Sequence, residues 1–406
     1  MLIGWQVNSS VRLFLIKSLI SAIINQIIIM KLLKRVFLIV VALVIIFSAY
    51  AWVSGKTFLF KAVAYNFANI DDYKKFANNT VAIAKPQPWN VSPDYNKKAY
   101  PDSLNNLLES LGSVGVLMIK NDSVVFEKYW DGYSDSSLSG SFSMAKSITS
   151  LLIGAALKEG KIGSVQDPVG KYLPEFANGD KLKIKIVDLL TMSSGTDWNE
   201  SYINMFSVTS EAYYGSDVYK TAASVKVINK PGTLHSYKSG DSQLLGLILE
   251  KVTGKSLSDY ASEKLWQPMG AEHPALWSTD HEKGNEKAYC CFNSNTRDFA
   301  RIGKLMLDSG KWKGTAIVDS AYYAQSIKPC GIIDEKGNAC NYYGYQWWID
   351  PVHPEIFYAR GILGQYIIII PSKKTIIVRL GKSTSPVRVR TIPKEVRYLI
   401  NWGLNS

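Results

Sequence analysis

Cysteine and histidine are scarce, with four of each in 406 residues. No Cys-x-x-Cys and no His-x-x-x-His occurs, so a metal enzyme or zinc array of the common spacings is disfavoured. Gly-x-Ser-x-Gly is also missing, which counts against the serine elbow of histidine-based hydrolases. Only His235, His273, His281 and His353 are available as imidazole bases. Residues 1–51 contain no acid but hold Arg12, Lys17, Lys31, Lys34 and Arg35. Of the net charge of +12, those five leave 12 − 5 = +7 for the rest of the chain. The remaining lysines and arginines are dispersed, so a solvated surface is expected and nucleic acid is not an expected partner. No repeat of 20–50 residues is visible. Apolar residues are plentiful, at 47% against 20% charged, which fits a globular protein with a sizeable core. The length allows two to three domains.

Lys31-Leu-Leu-Lys34-Arg35 precedes an apolar run from Val36 to Val53 in which Ser48 is the one polar residue. A cationic flank before such a run reads as a secretory signal or a membrane anchor. Ala49-Tyr50-Ala51 fits a small-x-small cleavage site, yet 18 residues also just span a bilayer. The retained anchor over residues 36–53 is the expectation, with the body exported to the periplasmic or other extracytoplasmic face and the inner membrane as a partner. Met30 offers a conventional signal start, so residues 1–29 read as an over-long start or an extra apolar segment. Export permits disulfides. Cys330 and Cys340 flank a turn-like segment and are placed to close a short loop, while Cys290 and Cys291, as neighbours, are not expected to bridge each other. Free thiols are the alternative for each pair.

Residues 54–95 read as a linker or N-terminal arm ending in Lys85-Pro-Gln-Pro88. Val114–Lys120 and Val124–Trp130 are β-rich runs around Asn121-Asp122, a hairpin signal. A helix is expected from Ser143 to Gly160. Further helical patterns lie at Ile186–Met192, Ser242–Thr253, Ser256–Trp266 and Arg297–Asp308. Tyr345–Ile349, Ile356–Arg360, Tyr366–Ile370 and Thr375–Leu380 are strand candidates, and Pro393–Leu404 is a closing helix. Strands from both chain ends with helices between predict an α+β fold. Its antiparallel sheet is flanked by helices, and residues of about 161–330 form a helical lobe within a 96–406 domain.

Ser143-Met-Ala-Lys146 is the one Ser-x-x-Lys in the chain. A serine at a helix start lies near unpaired backbone N–H groups, and a lysine three residues on shares its face. Burial lowers the pKa of such a lysine and lets it accept the serine proton. Tyr237-Lys238-Ser239 follows a turn and precedes a helix; a loop tyrosine there can relay a proton if nearby cations favour the phenolate. Arg360-Gly361-Ile362-Leu363-Gly364-Gln365 is a glycine-bearing strand that lets a substrate backbone approach. Its N–H and that of Ser143 suit an oxyanion hole. Of the aromatic residues Tyr343, Tyr345, Trp347 and Trp348, alternation sends about half to the core.

In this order the three elements resemble the serine β-lactamase and penicillin-binding-protein superfamily. Val187–Gly195, Asp241–Glu250, Thr296–Gly303 and Tyr343–Trp348 are similar to further stretches of that family, and the likeness spans about residues 100–405. The chain resembles the class C-like branch, which includes 6-aminohexanoate-dimer hydrolase and family VIII-like esterases. Tyr-x-Ser stands for the Tyr-x-Asn of class C enzymes, and the Lys-Thr-Gly strand motif is absent. The resemblance implies Ser143 as nucleophile, Lys146 as base, Tyr237 as relay, and an oxyanion hole from the Ser143 and Ile362 N–H groups. For substrate contact it implies Tyr202, Ser239, Gly361, Gln365 and Trp348. The expected substrate is a small ester, amide or peptide, and the implied mechanism needs neither metal nor organic cofactor. A D-alanyl-D-alanine carboxypeptidase, a β-lactamase, a Ser-His-Asp hydrolase using His235, and a non-catalytic membrane-tethered sensor are the competing readings.

Overall fold

A computed structural model describes residues 9–97 and 100–406. The chain divides into two compact units, one ending at Phe60 and the other running from Lys61 to Ser406. In the first, helix α1 (Ser9–Val53) is a single 45-residue helix, long and apolar enough to cross a membrane. It runs unbroken through the Lys31–Arg35 flank, so the two apolar stretches read from sequence share one helix. At 1.5 Å per residue it is roughly 68 Å long, about twice a bilayer's hydrocarbon thickness. Residues 1–8 of the expected N-terminal segment lie outside the described residues.

The second unit is built on a seven-stranded sheet. Its strands in chain order are β1 (Asn90–Val91), β2 (Ser113–Lys120), β3 (Ser123–Tyr129), β4 (Trp348–Ile349), β5 (Phe357–Gly361), β6 (Gln365–Ile370) and β7 (Thr375–Gly381). Their spatial order is β4-β5-β6-β7-β2-β3-β1, antiparallel throughout except for the β1–β3 pair. The β2–β3 hairpin turns at Asn121 (φ 47°) and Asp122 (φ 63°), the two residues best suited to paired positive φ angles. The β5 register runs from Phe357 opposite Ile369 to Gly361 opposite Gln365.

Helices cover both faces of this sheet, which explains the unbroken apolar run of β6. Ile367, Ile369, Ile376 and Val378 face the larger core, shared with α3 (Met144–Lys158), α4 (Ser239–Thr253) and α5 (Thr296–Leu307). Their neighbours Ile368, Ile370 and Ile377 face the opposite side, against α2 (Asp102–Ser110) and α6 (Lys394–Asn405). Helix α3 is buried from Met144 to Ala156, and its polar side chains Lys146, Ser147, Thr149 and Ser150 are hydrogen-bonded inside the core. It stops before Gly160, whose φ of 69° ends the helical path.

Two expectations change. Helix α4 begins at Ser239 rather than Ser242, so the Tyr237-Lys238-Ser239 motif runs directly into the helix instead of ending in a loop. The cysteines also pair differently: Cys290 and Cys291 are joined to each other, while Cys330 and Cys340 are thiols. The adjacent pair bridges where the chain turns sharply, Cys291 having φ 67°.

Candidate active site

The Ser143 turn is held from both sides. The Ser139–Gly140 strand pairs with Asn293–Ser294, and the Ser141 N–H donates to the Phe292 carbonyl at 2.8 Å. Phe142 then adopts φ 45°, a left-handed conformation that costs a bulky residue about 1–2 kcal/mol. This sharp turn places Ser143 immediately before α3 and on the wall of a cavity of about 1090 Å³. Among the described residues, no acceptor takes the Ser143 N–H. Ile362, carrying the other N–H named for the oxyanion hole, lines the same cavity.

Lys146 lies one turn into α3 and is 1% exposed. Its Nζ donates to Ser143 Oγ (3.0 Å), Ser239 Oγ (3.0 Å) and the Tyr289 carbonyl (2.9 Å). Burial lowers its pKa to about 8, against the raising influence of Glu200 and Asp241. About a tenth of the amine is then neutral at pH 7, and that fraction can accept a proton.

Tyr237 lines the cavity together with Ser143, and Lys146 Nζ lies 5.1 Å from the centre of its ring. Burial and the Glu200 charge raise the Tyr237 pKa well above the usual phenol range; Ser143 and Arg360 oppose this without prevailing. The expectation of a cation-favoured phenolate is thereby corrected: burial favours the neutral phenol at Tyr237.

Glu200 lines the same cavity and was not singled out by the sequence. Its Oε1 accepts from Ser239 Oγ and Tyr202 Oη, each at 2.5 Å. Its Oε2 accepts from the Ser239 N–H (2.7 Å) and Trp198 Nε1 (2.9 Å). A continuous chain therefore runs Ser143–Lys146–Ser239–Glu200. The Asn199–Tyr202 stretch signalled this loop, but only through its tyrosine.

Tyr202 and Trp348 line the cavity, and the Trp348 ring lies 5.6 Å from that of Tyr237. Arg360 stacks its guanidinium 5.0 Å over Trp348 and faces the same cavity, as do Arg388 and Arg390. Of the other three aromatics, Tyr343 and Trp347 are buried and Tyr345 packs on Tyr322.

Gly361 lines the cavity but has a further reason to be glycine. A Cβ there would lie 2.2 Å from the Ser141 carbonyl oxygen, so the strand can approach the serine turn only without a side chain. Gln365 does not reach the cavity. It is fully buried, its amide donating to the carbonyls of Gly381 (2.6 Å) and Ile362 (3.2 Å) while Oε1 accepts the Gly381 N–H (3.0 Å). It braces the turn that presents Ile362. Arg379 braces the same turn, donating to the carbonyls of Gly364 (2.7 Å) and Leu363 (3.1 Å), and burial lowers its pKa to about 10. His235, the competing base, is buried with Nδ1 2.9 Å from the Thr191 carbonyl and does not line the cavity.

The Beta-lactamase family profile matches residues 104–399. The chain is 26% identical over 304 residues to the 6-aminohexanoate-dimer hydrolase of Paenarthrobacter ureafaciens, covering 70% of this chain and 76% of that one. A Bacillus anthracis structure described as "Putative 6-aminohexanoate-dimer hydrolase" superposes with a TM-score of 0.71 at 23% identity, covering 83% of this chain and 92% of the other. A penicillin binding protein from Bacillus halodurans superposes with a TM-score of 0.55 at 16% identity, covering 75% and 100%. The two structural likenesses speak to the fold.

Proposed function

Since this chain belongs to the beta-lactamase family, we propose that it is an exported serine hydrolase that cleaves an ester or amide through an acyl-serine intermediate on Ser143. The observation that carries this reading is the buried Lys146 amine 3.0 Å from Ser143 Oγ, with its pKa lowered to about 8. A solvated, fully charged lysine has no capacity to take the serine proton; this one does.

In the proposed sequence the Ser143 hydroxyl proton passes to Lys146 as Oγ attacks the substrate carbonyl. The Ser143 and Ile362 N–H groups receive the oxyanion, each such donor contributing about 3–4 kcal/mol. Tyr237 gives its phenolic proton to the departing amine or alkoxide and regains one from the Lys146 ammonium. Water then attacks the acyl-serine with its proton passing back through the same pair, which releases the acid and restores Ser143. Glu200 holds Ser239 and, through it, Lys146 in place. Residues 96–406 make up the catalytic domain in this reading.

The substrate class follows from the cavity wall. Arg360, Arg388 and Arg390 form no ion pair with a protein carboxylate among the described residues. Three cationic groups lining one cavity suit a substrate carrying a carboxylate, with Arg360 directly before Gly361 on the strand that lacks the Lys-Thr-Gly motif. A linear amide is preferred to a β-lactam on the name of the Paenarthrobacter relative, since both kinds of substrate carry a carboxylate. Helix α1 supports export with retention in the inner membrane.

The test is hydrolysis of a short-chain p-nitrophenyl ester by the full chain in detergent, compared with Ser143→Ala. The reading expects turnover that falls by more than about 1,000-fold in the variant. Turnover that survives in Ser143→Ala sinks it, and release of D-alanine from a cell-wall peptide in place of ester turnover moves the assignment to a carboxypeptidase.

A further inference from the structure

A second cluster of reactive side chains lies behind the cavity wall and takes no part in the proposed hydrolysis. One ring nitrogen of His235 and the sulfurs of Cys330 and Cys340 all lie within 4.8 Å of one another. The fold assembles them from segments distant in sequence, which is why no short metal-binding spacing announced them. The Leu234–His235 strand pairs in parallel with Ile333–Asp334, putting His235 beside the Cys330–Cys340 loop. Within that loop the Cys340 N–H donates to the Ile332 carbonyl (2.8 Å) and the Gly331 N–H to the Cys340 carbonyl (3.1 Å). These bonds fold the two thiols toward each other.

The imidazole is also oriented. Nδ1 lies 2.9 Å from the Thr191 carbonyl, which can only accept, so Nδ1 carries the hydrogen and Nε2 keeps its lone pair. A backbone carbonyl that fixes the ring and tautomer is the usual outer partner of a metal-binding histidine. The Tyr343 ring, 5.2 Å away, restricts it further. His235 and Cys340 are buried and Cys330 is partly exposed, which leaves an entry path for an ion.

We propose that His235, Cys330 and Cys340 form a three-ligand site for a soft divalent cation, zinc by its ligand chemistry. Two thiolates and a neutral imidazole suit Zn²⁺, and the resulting site is electrically neutral, which its burial requires. Zinc bonds of about 2.0–2.3 Å set tetrahedral ligand atoms roughly 3.5–3.8 Å apart, so closure needs about 1 Å of movement. Binding releases the two thiol protons to solvent. A water completes the tetrahedron on the exposed side of Cys330. A Cys330–Cys340 disulfide, the alternative fate of the pair, gives the oriented third ligand nothing to do. The bound ion would clip the cavity-lining loop that carries Asp334, Asn338 and Tyr342 to the strand entering Tyr237. The site does not depend on the acyl-serine reading.

The experiment uses the full chain in detergent, reduced, freed of metal and titrated with zinc and then cobalt. One zinc per chain is expected, and the cobalt form should show thiolate charge-transfer absorption with tetrahedral d–d bands. C330S, C340S and H235A should each weaken zinc binding by more than about 100-fold, beyond the loss of an outer partner alone. H281A, which removes an exposed imidazole, should keep full affinity. If a variant does not fold, the wild type still decides: zinc should shield Cys330 and Cys340 from alkylation. Absence of zinc from the reduced protein, unaltered binding in the cysteine variants, or a Cys330–Cys340 disulfide formed while zinc is present would each overturn the proposal.

Discussion

At the scale of single residues, the proposed chemistry rests on how burial and neighbours set protonation. Lys146 must be neutral to act as base, so kcat/KM should rise with pH through about 8 and level off above it. Lys146→Ala should lower kcat/KM by about 10²–10⁴-fold and abolish that limb. Glu200 raises the Lys146 pKa, so Glu200→Gln should move the limb to lower pH. A pH–rate series on the two variants measures both effects, and a limb that stays put in Glu200→Gln would separate Glu200 from Lys146. The same lysine enters stability with a definite sign. Its folded pKa lies below its ordinary value of 10.5, so the unfolded chain binds the extra proton between about pH 8 and 10.5. This group's destabilising contribution is complete below pH 8 and is relieved as pH rises through that window.

The residue scale is also where sequence reading reached its limit. Ser143 and Lys146 were legible because three residues on one helix fix their relation before any tertiary structure exists. Glu200 was not, because its place beside Ser239 depends on how a loop folds over the start of α4. Gln365 was misplaced for a similar reason: on a strand its direction depends on register, and here it turns inward to the backbone of the Ile362 turn. The Tyr237 motif was legible, but its protonation was not, since burial outweighed the cations around it.

At the scale of elements, the site is the meeting of α3, α4 and strand β5. The close approach of β5 to the serine turn depends on Gly361, where a methyl group would overlap the Ser141 carbonyl. Gly361→Ala should therefore cost about 1–3 kcal/mol of stability and lower kcat more than it raises KM. Thermal melts and steady-state kinetics check both. Arg360 on the same strand faces the cavity, so Arg360→Ala should raise KM about 10-fold for carboxylate-bearing substrates and leave neutral esters unaffected. An equal effect on both classes would remove the carboxylate from the account. Most elements were readable from periodicity and turn chemistry, the β2–β3 hairpin most clearly. The short strand β4 was overestimated, because Gln346 takes φ 64° and breaks the extended path, leaving only Trp348–Ile349 paired with β5.

At the scale of the whole molecule, composition set an apolar N-terminal segment apart from a globular body; of the two compact units in the structure, the first ends at Phe60, within the expected 54–95 arm. What composition left open was whether one or two apolar segments precede the body; a single helix over Ser9–Val53 joins them. Under the proposed anchoring, the full chain should stay with membranes through an alkaline wash and keep residues beyond Ala51 attached to α1. A soluble product beginning at Trp52 would instead mark a cleaved signal. The Cys290–Cys291 bridge lay beyond sequence reading, since it depends on the left-handed turn at Cys291.

The most direct measurement is the mass of the chain quenched during turnover of an activated ester, followed by peptide mapping. The account predicts an acyl adduct on the peptide containing Ser143, lost in Ser143→Ala and slow to clear in Lys146→Ala. An adduct on another residue, or ester turnover that persists in Ser143→Ala, would contradict it.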